Sequence, residues 1–439
     1  MASSSTTTTT ATASSTIALT GDVTVTANVD RFWNTLHESC QWGATPDGGM
    51  NRLALNDDDL RVRQWFIQQG ESLGLTIKID QVGNIFMIRA GENNDIAPIG
   101  IGSHLDTQPR GGRYDGILGV QCGLEIIRAL HDANFVTYAP IAVIMWTNEE
   151  GARFPKAMLG SGVWAQSIPL QDCYALEDVN ASGTTFLAEL ERIGFKGTTP
   201  ADYRENSLSA HFELHIEQGP VLEAEGFDIG IVDGVQGMRW YEASATGAEA
   251  HTGTTPMNRR RDTLVAVSKM IVEIEETAIA SQGLGTVGII NSLPQSTNTI
   301  PGHIAFSIDL RHSKESSLDE MQATLFTKLE AIAAARKVNF KYKQIWNSVQ
   351  LDFDARLKEH LKAASTEQGL PYHVLQSGAG HDSCYTSLHC PTAMLFVPCK
   401  DGISHNPAES ATKQHCAQGV QVVLGAVLRT DQDLRKSHN

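Results

Sequence analysis

Six consecutive apolar residues, Ile141-Ala142-Val143-Ile144-Met145-Trp146, place the strongest constraint on this chain. A half-buried strand alternates apolar and polar side chains, whereas an unbroken apolar run of this length predicts a strand covered on both faces. Such strands belong to parallel-rich sheets, whose crossover connections lay helices on both faces. The run ends in Thr147-Asn148-Glu149-Glu150-Gly151. Two adjacent carboxylates at the end of a buried strand must be paired, metal-bound or protonated, because an isolated buried charge is very costly. One as a metal ligand and its neighbour as a general base would account for both, and a solvated turn is the plainer alternative.

A second strand end carries similar chemistry. Pro98-Ile99-Gly100-Ile101 reads as the end of a short apolar strand, and Ile117, Val120, Leu124, Ile127 and Leu130 repeat at helical spacing. Between them, Gly102-Ser103-His104-Leu105-Asp106-Thr107 and Tyr114-Asp115-Gly116 read as a loop at the carboxyl edge of the sheet, where ligands bind in open α/β folds. His104 and Asp115 are of a type to ligate a metal, and Asp106 to accept the other imidazole N–H and fix its tautomer. An ordinary polar loop is the alternative. In Ala210-His211-Phe212-Glu213-Leu214-His215-Ile216-Glu217-Gln218-Gly219-Pro220, four polar residues alternate with apolar ones, so a strand would gather them on one face as a metal or substrate wall. Thr392 to Val397 is another buried strand, followed by Ser404-His405-Asn406.

The remaining elements follow from periodicity and punctuation. Helices are predicted over 29–41, 56–72, 354–368 and 411–429, and strands over 76–80, 85–89 and 372–376. Residues 155–207 read as mixed helix and loop. Between about 236 and 350 the order is strand, helix, two strands, helix, strand, that of a ferredoxin-like unit. Its helices are expected over 258–278 and 318–334, the latter with Ser317 and Glu320 as a capping box. The fold class is therefore α/β: a mixed, mostly parallel sheet flanked by helices, with an inserted ferredoxin-like α+β domain. Residues 29–235 and 351–439 form the catalytic domain, 236–350 the inserted lid and dimerisation domain, and 1–28 a disordered Ser/Thr/Ala-rich tail.

Composition narrows the setting. The 439 residues suffice for two or three domains, and a net charge of -16 argues against nucleic acid and anionic membrane as partners. Seven cysteines without a C-x-x-C favour neither a disulfide framework nor a cysteine–zinc site and fit a reducing compartment. There is no run of 18 apolar residues, no Arg before Arg31, and Ser437-His438-Asn439 differs from the peroxisomal Ser-Lys-Leu signal, so a cytoplasmic location is expected.

His104, Asp115, Glu149, Glu150, His215 and His405 all fall at strand ends or on a strand face. Such a set suits two divalent ions bridged by a carboxylate, with imidazole and carboxylate favouring zinc, manganese, cobalt or nickel. Together with the inserted domain, these residues resemble the dinuclear zinc aminoacylase and carboxypeptidase clan. Gly102-Ser103-His104-Leu105-Asp106-Thr107-Gln108-Pro109, Tyr114-Asp115-Gly116, His215-Ile216-Glu217-Gln218-Gly219-Pro220, His251-Thr252-Gly253-Thr254-Thr255-Pro256-Met257 and Ser404-His405-Asn406 are similar to its hydantoinase/carbamoylase and allantoate amidohydrolase branch. The likeness covers roughly residues 30–430 and departs at Thr252, where that branch typically has Ala. Tyr114-Asp115-Gly116-Ile117-Leu118-Gly119-Val120 and Ser377-Gly378-Ala379-Gly380-His381-Asp382-Ser383-Cys384 look most like the fungal β-alanine synthases (β-ureidopropionases) of that branch.

The resemblance implies a metal-dependent amidohydrolase that opens the ureido C–N bond of N-carbamoyl amino acids, with N-carbamoyl-β-alanine preferred, as in pyrimidine catabolism. N-carbamoyl-L-amino acids, allantoate and ureidoglycolate are the alternative substrates. It implies two ions per subunit, zinc preferred, one held by His104 and His215, the other by Glu150 and His405, with Asp115 bridging. Glu149 is the implied general base. His251 is implied to bind the carbamoyl oxygen, Asn298 and Arg311 the substrate carboxylate, and Gln218 and His381 further parts of the substrate. A homodimer through the inserted domain is implied as well, with His251 and Asn298 acting in cis or from the neighbouring subunit. Read locally, Arg311 could equally pair with Asp309, His251 be a loop histidine, Asn298 a turn residue before Ile300-Pro301, and His381 a helix-start histidine. A rival of another class is a non-catalytic relative that keeps the fold for dimerisation or binding. The presence of Glu149 beside every implied ligand argues against it.

Overall fold

In a computed structural model of the chain, residues 17–18 and 24–438 are described, so most of the expected N-terminal tail lies outside the described residues. The chain forms two compact units: residues up to 232 with 353–375 and 381 onwards, and residues 233–352 with 376–380.

The first unit is built on a mixed sheet. Its centre is a parallel set, Ile141–Trp146, Ile99–His104, Ala210–Ile216 and Thr392–Val397, in that spatial order. Antiparallel strands extend both sides: Ile85–Arg89 and Thr76–Ile79 beyond Ile141–Trp146, and Ile229–Val235 beyond Thr392–Val397. The apolar run 141–146 is divided between two cores, as its lack of alternation requires. Ile141, Val143 and Met145 enter the larger core, with Ile117, Leu124 and Val423 of the helices Ile117–Asp132 and Lys413–His438. Ala142, Ile144 and Trp146 enter a smaller one with Phe86, Trp164 and Leu208. Glycine at 119 lets the helix Ile117–Asp132 lie close to the sheet, since a Cβ there would stand 2.7 Å from the Leu214 carbonyl oxygen.

The second unit has an antiparallel sheet in the order Leu284–Thr286, His303–His312, Gly237–Thr246, Asn339–Ser348, with Ile290–Leu293 also on His303–His312. The helices Thr263–Ala280 and Glu315–Arg336 cover one face, where Ile304, Phe306, Ile308 and Leu310 meet Val267, Met270, Leu325 and Leu329. This is the ferredoxin-like arrangement.

Several boundaries differ from expectation for identifiable reasons. The first of the two strands expected between the helices of the inserted unit is broken into Leu284–Thr286 and Ile290–Leu293, because the Ser307 hydroxyl oxygen accepts the Gly288 and Ile289 N–H groups that would otherwise enter the ladder. The helix expected at 318 begins at Glu315, whose carboxylate bonds Arg239 and the Gln350 N–H; Ser317 is inside the helix, so the expected capping box does not form. The helix expected from 258 starts at Thr263, capped by Asp262 on the Val265 N–H, after a single turn at Met257–Arg259. The last helix runs to His438 rather than 429. Tertiary bonds carry its polar end: Asp431 accepts the Tyr138 and Ala139 N–H groups, and Asp433 pairs with His360.

Candidate active site

The loop expected from Gly102 to Gly116 is shorter than the sequence indicates, because the strand Ile99–His104 continues through His104 itself. His104 stands opposite Trp146 in the ladder, three residues before Glu149. Asp115 follows on the turn into the helix Ile117–Asp132. Gly116 at that turn has φ +67°, and a Cβ there would come within 2.3 Å of the His104 ring. Only glycine leaves the imidazole room.

His104 and His215 are buried and share one tautomer. Nδ1 of His104 lies 2.9 Å from the Asp106 carbonyl oxygen, and Nδ1 of His215 lies 2.9 Å from the Ile216 carbonyl oxygen. A carbonyl only accepts, so Nδ1 carries the proton and Nε2 presents a lone pair in the neutral ring. The Gly116 N–H donates to that lone pair on His215 at 3.2 Å. Both Nε2 atoms face Asp115 Oδ1, at 3.5 Å from His104 and 3.0 Å from His215. The other carboxylate oxygen, Oδ2, faces His405 Nε2 at 3.3 Å, and His405 Nε2 lies 3.5 Å from Glu150 Oε2. Among the described residues three groups of possible ligand atoms lie within 4.8 Å of one another: His104–Asp115–His215 and Asp115–Glu150–His405, which share Asp115, and Glu213–His215–His381, whose Glu213 is taken up by Ser103 and Ser383.

Neutral rings converging on the Asp115 carboxylate in this way suit a divalent ion between them. The same carboxylates also favour protonated imidazoles: burial works to lower His104 and His215, but Glu149 and Asp115 beside His104, and Asp115 beside His215, outweigh it and raise both. Burial works to raise the Asp115 carboxyl, but His104, His215 and His405 outweigh it and hold it well below the usual carboxylate range. Glu149 is driven well above that range by burial and then by the charges of Asp382, Glu150 and Asp115. Glu150 is pushed up to about 7 by burial and by Asp115. His405 rises to about 9, chiefly through its bond to Asp115. Imidazole and carboxylate donors of this kind suit zinc and its transition-metal neighbours better than magnesium or calcium.

The supporting contacts correct one expectation. The Asp106 side chain does not hold the His104 imidazole; its backbone carbonyl does. Its carboxylate instead accepts the Glu149 N–H on Oδ1 and the Glu150 N–H on Oδ2, each at 3.2 Å. Asp106 therefore fixes the backbone of both glutamates. Three further residues escaped the sequence reading. Gln108 grips Glu150 through its backbone N–H, 3.1 Å from Oε1, and its side-chain amide, 2.8 Å from Oε2. Ser404 reaches Asp115 Oδ2 at 3.1 Å. Glu409 accepts the backbone N–H groups of Tyr114 and Asp115. No local pattern marks these three, although Gln108 and Ser404 lie inside the motifs that carry the resemblance.

Gln218 lies at the site, its amide donating to Asp115 Oδ2 at 2.8 Å and to Ser404 at 3.1 Å, with Oε1 buried and without a hydrogen-bond partner. Asn148, Gln218 and His405 all have left-handed backbone, φ +57°, +57° and +53°. Such strain in non-glycine residues persists where the surroundings impose it. His381 is buried with its ring edge-on to His215 at 4.7 Å, and burial and then the neighbouring His215 lower its pKa well below the usual value. The expected polar wall divides. His211 is buried beside Trp146, Glu213 is saturated by Ser103 and Ser383, and Glu217 bonds the Val221 and Leu222 N–H groups that start a short helix.

His251, Asn298 and Arg311 belong to the second unit. His251 pairs with Thr299 across a short ladder, and the Thr252 N–H donates to the Asn298 carbonyl oxygen, so His251 and Asn298 are neighbours there. The Arg311 guanidinium bonds Asp309 through Nε and Nη2, the local pairing its sequence allows, and Nη1 donates to the Gly378 carbonyl oxygen at 2.6 Å. Arg110 pairs with Asp47, and Arg113 with the Gly48 carbonyl.

The helix-flanked mixed sheet with this imidazole–carboxylate cluster at its strand ends and a ferredoxin-like second unit is the architecture of a hydrolase family, and the amidohydrolases related to this chain place it among hydrolases of carbon–nitrogen bonds other than peptide bonds. The chain belongs to Peptidase family M20/M25/M40, which it matches over residues 100–429. It is 40% identical to the N-carbamoyl-L-amino-acid amidohydrolase of Rhizobium meliloti, covering 92% of this chain and 96% of that one. It is 32% identical to the allantoate amidohydrolase of Bacillus subtilis (strain 168), over 87% and 93%. Among solved structures, an amidase of the hydantoinase/carbamoylase family from Burkholderia multivorans superposes with a TM-score of 0.89 at 44% identity, covering 92% of this chain and 98% of that one.

Proposed function

We propose that this chain hydrolyses the ureido C–N bond of N-carbamoyl-L-amino acids, releasing the amino acid, ammonia and carbon dioxide, with two divalent ions per subunit. The observation that carries the chemistry is Asp115, whose two oxygens face two separate sets of lone-pair donors. The substrate class rests on the names of the relatives. These favour carbamoylated L-amino acids over N-carbamoyl-β-alanine, the preference drawn from the sequence motifs, for which they offer no support. Allantoate is the second reading, because an allantoate amidohydrolase is also a close relative.

Bound ions would polarise the ureido carbonyl and acidify a shared water. His104, His215, Glu150 and His405 are the proposed ligands and Asp115 the bridge, with zinc the first choice. The chain's own part in the reaction centres on Glu149, whose Oε2 is 3.5 Å from His104 Nε2. Glu149 takes a proton from the attacking water and returns it to the departing nitrogen. Asp106 holds the Glu149 backbone in place for both transfers. Gln218 and His381 line the substrate position, and His251, Asn298 and Arg311 of the second unit are assigned to the carbamoyl oxygen and the carboxylate on the strength of the motif resemblance. The second unit is likewise proposed as lid and homodimer contact.

The test is ammonia release from N-carbamoyl-L-amino acids, N-carbamoyl-β-alanine and allantoate, with chelated protein and with zinc or manganese restored. Metal-dependent turnover led by the L-amino acid derivatives is expected. A lead by N-carbamoyl-β-alanine or allantoate would overturn the substrate, and no ammonia from any of them with two ions bound would overturn the ureido assignment.

A further inference from the structure

The two proposed cation groups draw on segments almost 300 residues apart, Asp115 and His405, and something must set their spacing. Glu409 contacts both segments. Its Oε1 accepts the backbone N–H of Tyr114 at 3.0 Å and of Asp115 at 3.1 Å. Its Oε2 accepts the Ser404 hydroxyl at 3.2 Å. Ser404 precedes His405, and its Oγ is also 3.1 Å from Asp115 Oδ2 and accepts the Gln218 amide at 3.1 Å. The Glu409 backbone N–H closes the loop onto the Asn406 carbonyl oxygen at 3.0 Å. Glu409 is buried, and its place is shaped for it: a Cβ on Gly112 would stand 2.1 Å from Oε1.

We infer that Glu409 is a positioning residue for the cation held by Asp115, Glu150 and His405, tying the backbone of the bridging aspartate to the His405 loop. A carboxyl group suits this task better than a hydroxyl, because one oxygen accepts two adjacent N–H groups while the other engages Ser404. The cation held by His104, Asp115 and His215 depends less on this tie, since two of its three ligands, His104 and His215, are strand positions fixed by the ladder. Their imidazoles are oriented by other backbone carbonyls. The inference rests on the two-cation reading above.

The experiment is cobalt titration of the metal-stripped full chain, following the visible absorption band and the bound stoichiometry by dialysis, for the parent, Glu409→Ala and Glu409→Gln. Thermal melts check folding. The parent is expected to bind two ions. Glu409→Ala is expected to keep one ion within about threefold and weaken the other by about 10- to 100-fold, the range usual for lost supports behind metal ligands. Glu409→Gln, which keeps an oxygen for the two N–H groups, is expected to lose less, again at one ion only. A parent that binds fewer than two ions would defeat the two-cation reading itself. A two-ion parent whose folded variants bind both ions as it does, or lose both equally, would overturn the role of Glu409. If Glu409→Ala does not fold, Glu409→Gln decides: selective weakening of one ion supports the inference, and its absence overturns it.

Discussion

The Asp106 carboxylate accepts the backbone N–H of Glu149 at 3.2 Å, and its second oxygen takes the N–H of Glu150 at the same distance. A side chain two residues from a proposed ligand thus orients the proposed base and the neighbouring ligand together. Asp106→Asn would place an amide N–H against one of those two donors. Its kcat for ammonia release is expected to fall about 10- to 100-fold at saturating metal. Stopped assays on metal-loaded protein check this, and an unchanged kcat would remove Asp106 from the machinery.

Glu149→Gln removes the proton carrier and leaves the shape. The expected loss in kcat is about 10²- to 10⁴-fold. Thermal stability is expected to hold or rise, because burial and the charges of Asp382, Glu150 and Asp115 already disfavour the ionised carboxylate. Paired melts and turnover measurements check both halves. A stability loss matching the activity loss would point to a structural role instead.

Gly116→Ala puts a methyl group within 2.3 Å of the His104 ring on backbone at φ +67°. Metal binding at the His104–His215 group and turnover are expected to fall together by more than tenfold, since the ring must rotate or the turn must open. Equilibrium dialysis with zinc checks it.

Chelation is expected to abolish turnover and to lower the thermal midpoint, with both restored by zinc or manganese. Each ion held at about 100 times its dissociation constant adds about 2.7 kcal/mol to stability. Calorimetry on stripped and reloaded protein reads the shift, and an unchanged midpoint would argue against ions buried among these ligands.

His211 gives a pH prediction away from the metal ligands. Burial lowers its pKa from 6.5 to about 3, so the folded state keeps it neutral where the unfolded chain binds a proton. Stability is therefore complete above the unfolded pKa and declines as pH falls from about 6.5 towards 3. The loss is roughly 2 kcal/mol at pH 5 relative to pH 8. His211→Gln removes that slope whatever it costs at pH 8. Urea unfolding of both proteins at pH 8 and pH 5 measures it, and equal slopes would show that His211 does not titrate this way.

Local patterns in the sequence determined the elements that frame the site. The run 141–146 was legible as a strand covered on both faces because an unbroken apolar stretch has no polar side to turn to water, and the structure divides it between two cores. The inserted β-α-β-β-α-β unit was legible from periodicity, and His104, Asp115, Glu149, Glu150, His215 and His405 from residue type at strand ends. What only the tertiary structure decided depends on contacts between segments distant in sequence. Asp106 serves Glu149 rather than His104 because the strand extends to residue 104, leaving the backbone carbonyl nearer the ring. The helix at Glu315 starts a turn early because Arg239 and Gln350 bond its carboxylate. Glu409 carries no signature, since a carboxylate four residues after a histidine in a loop is ordinary until folding brings Tyr114 and Asp115 against it. Periodicity records which face of an element is buried, but a hydrogen bond across 294 residues leaves no local trace, and only the assembled fold creates it.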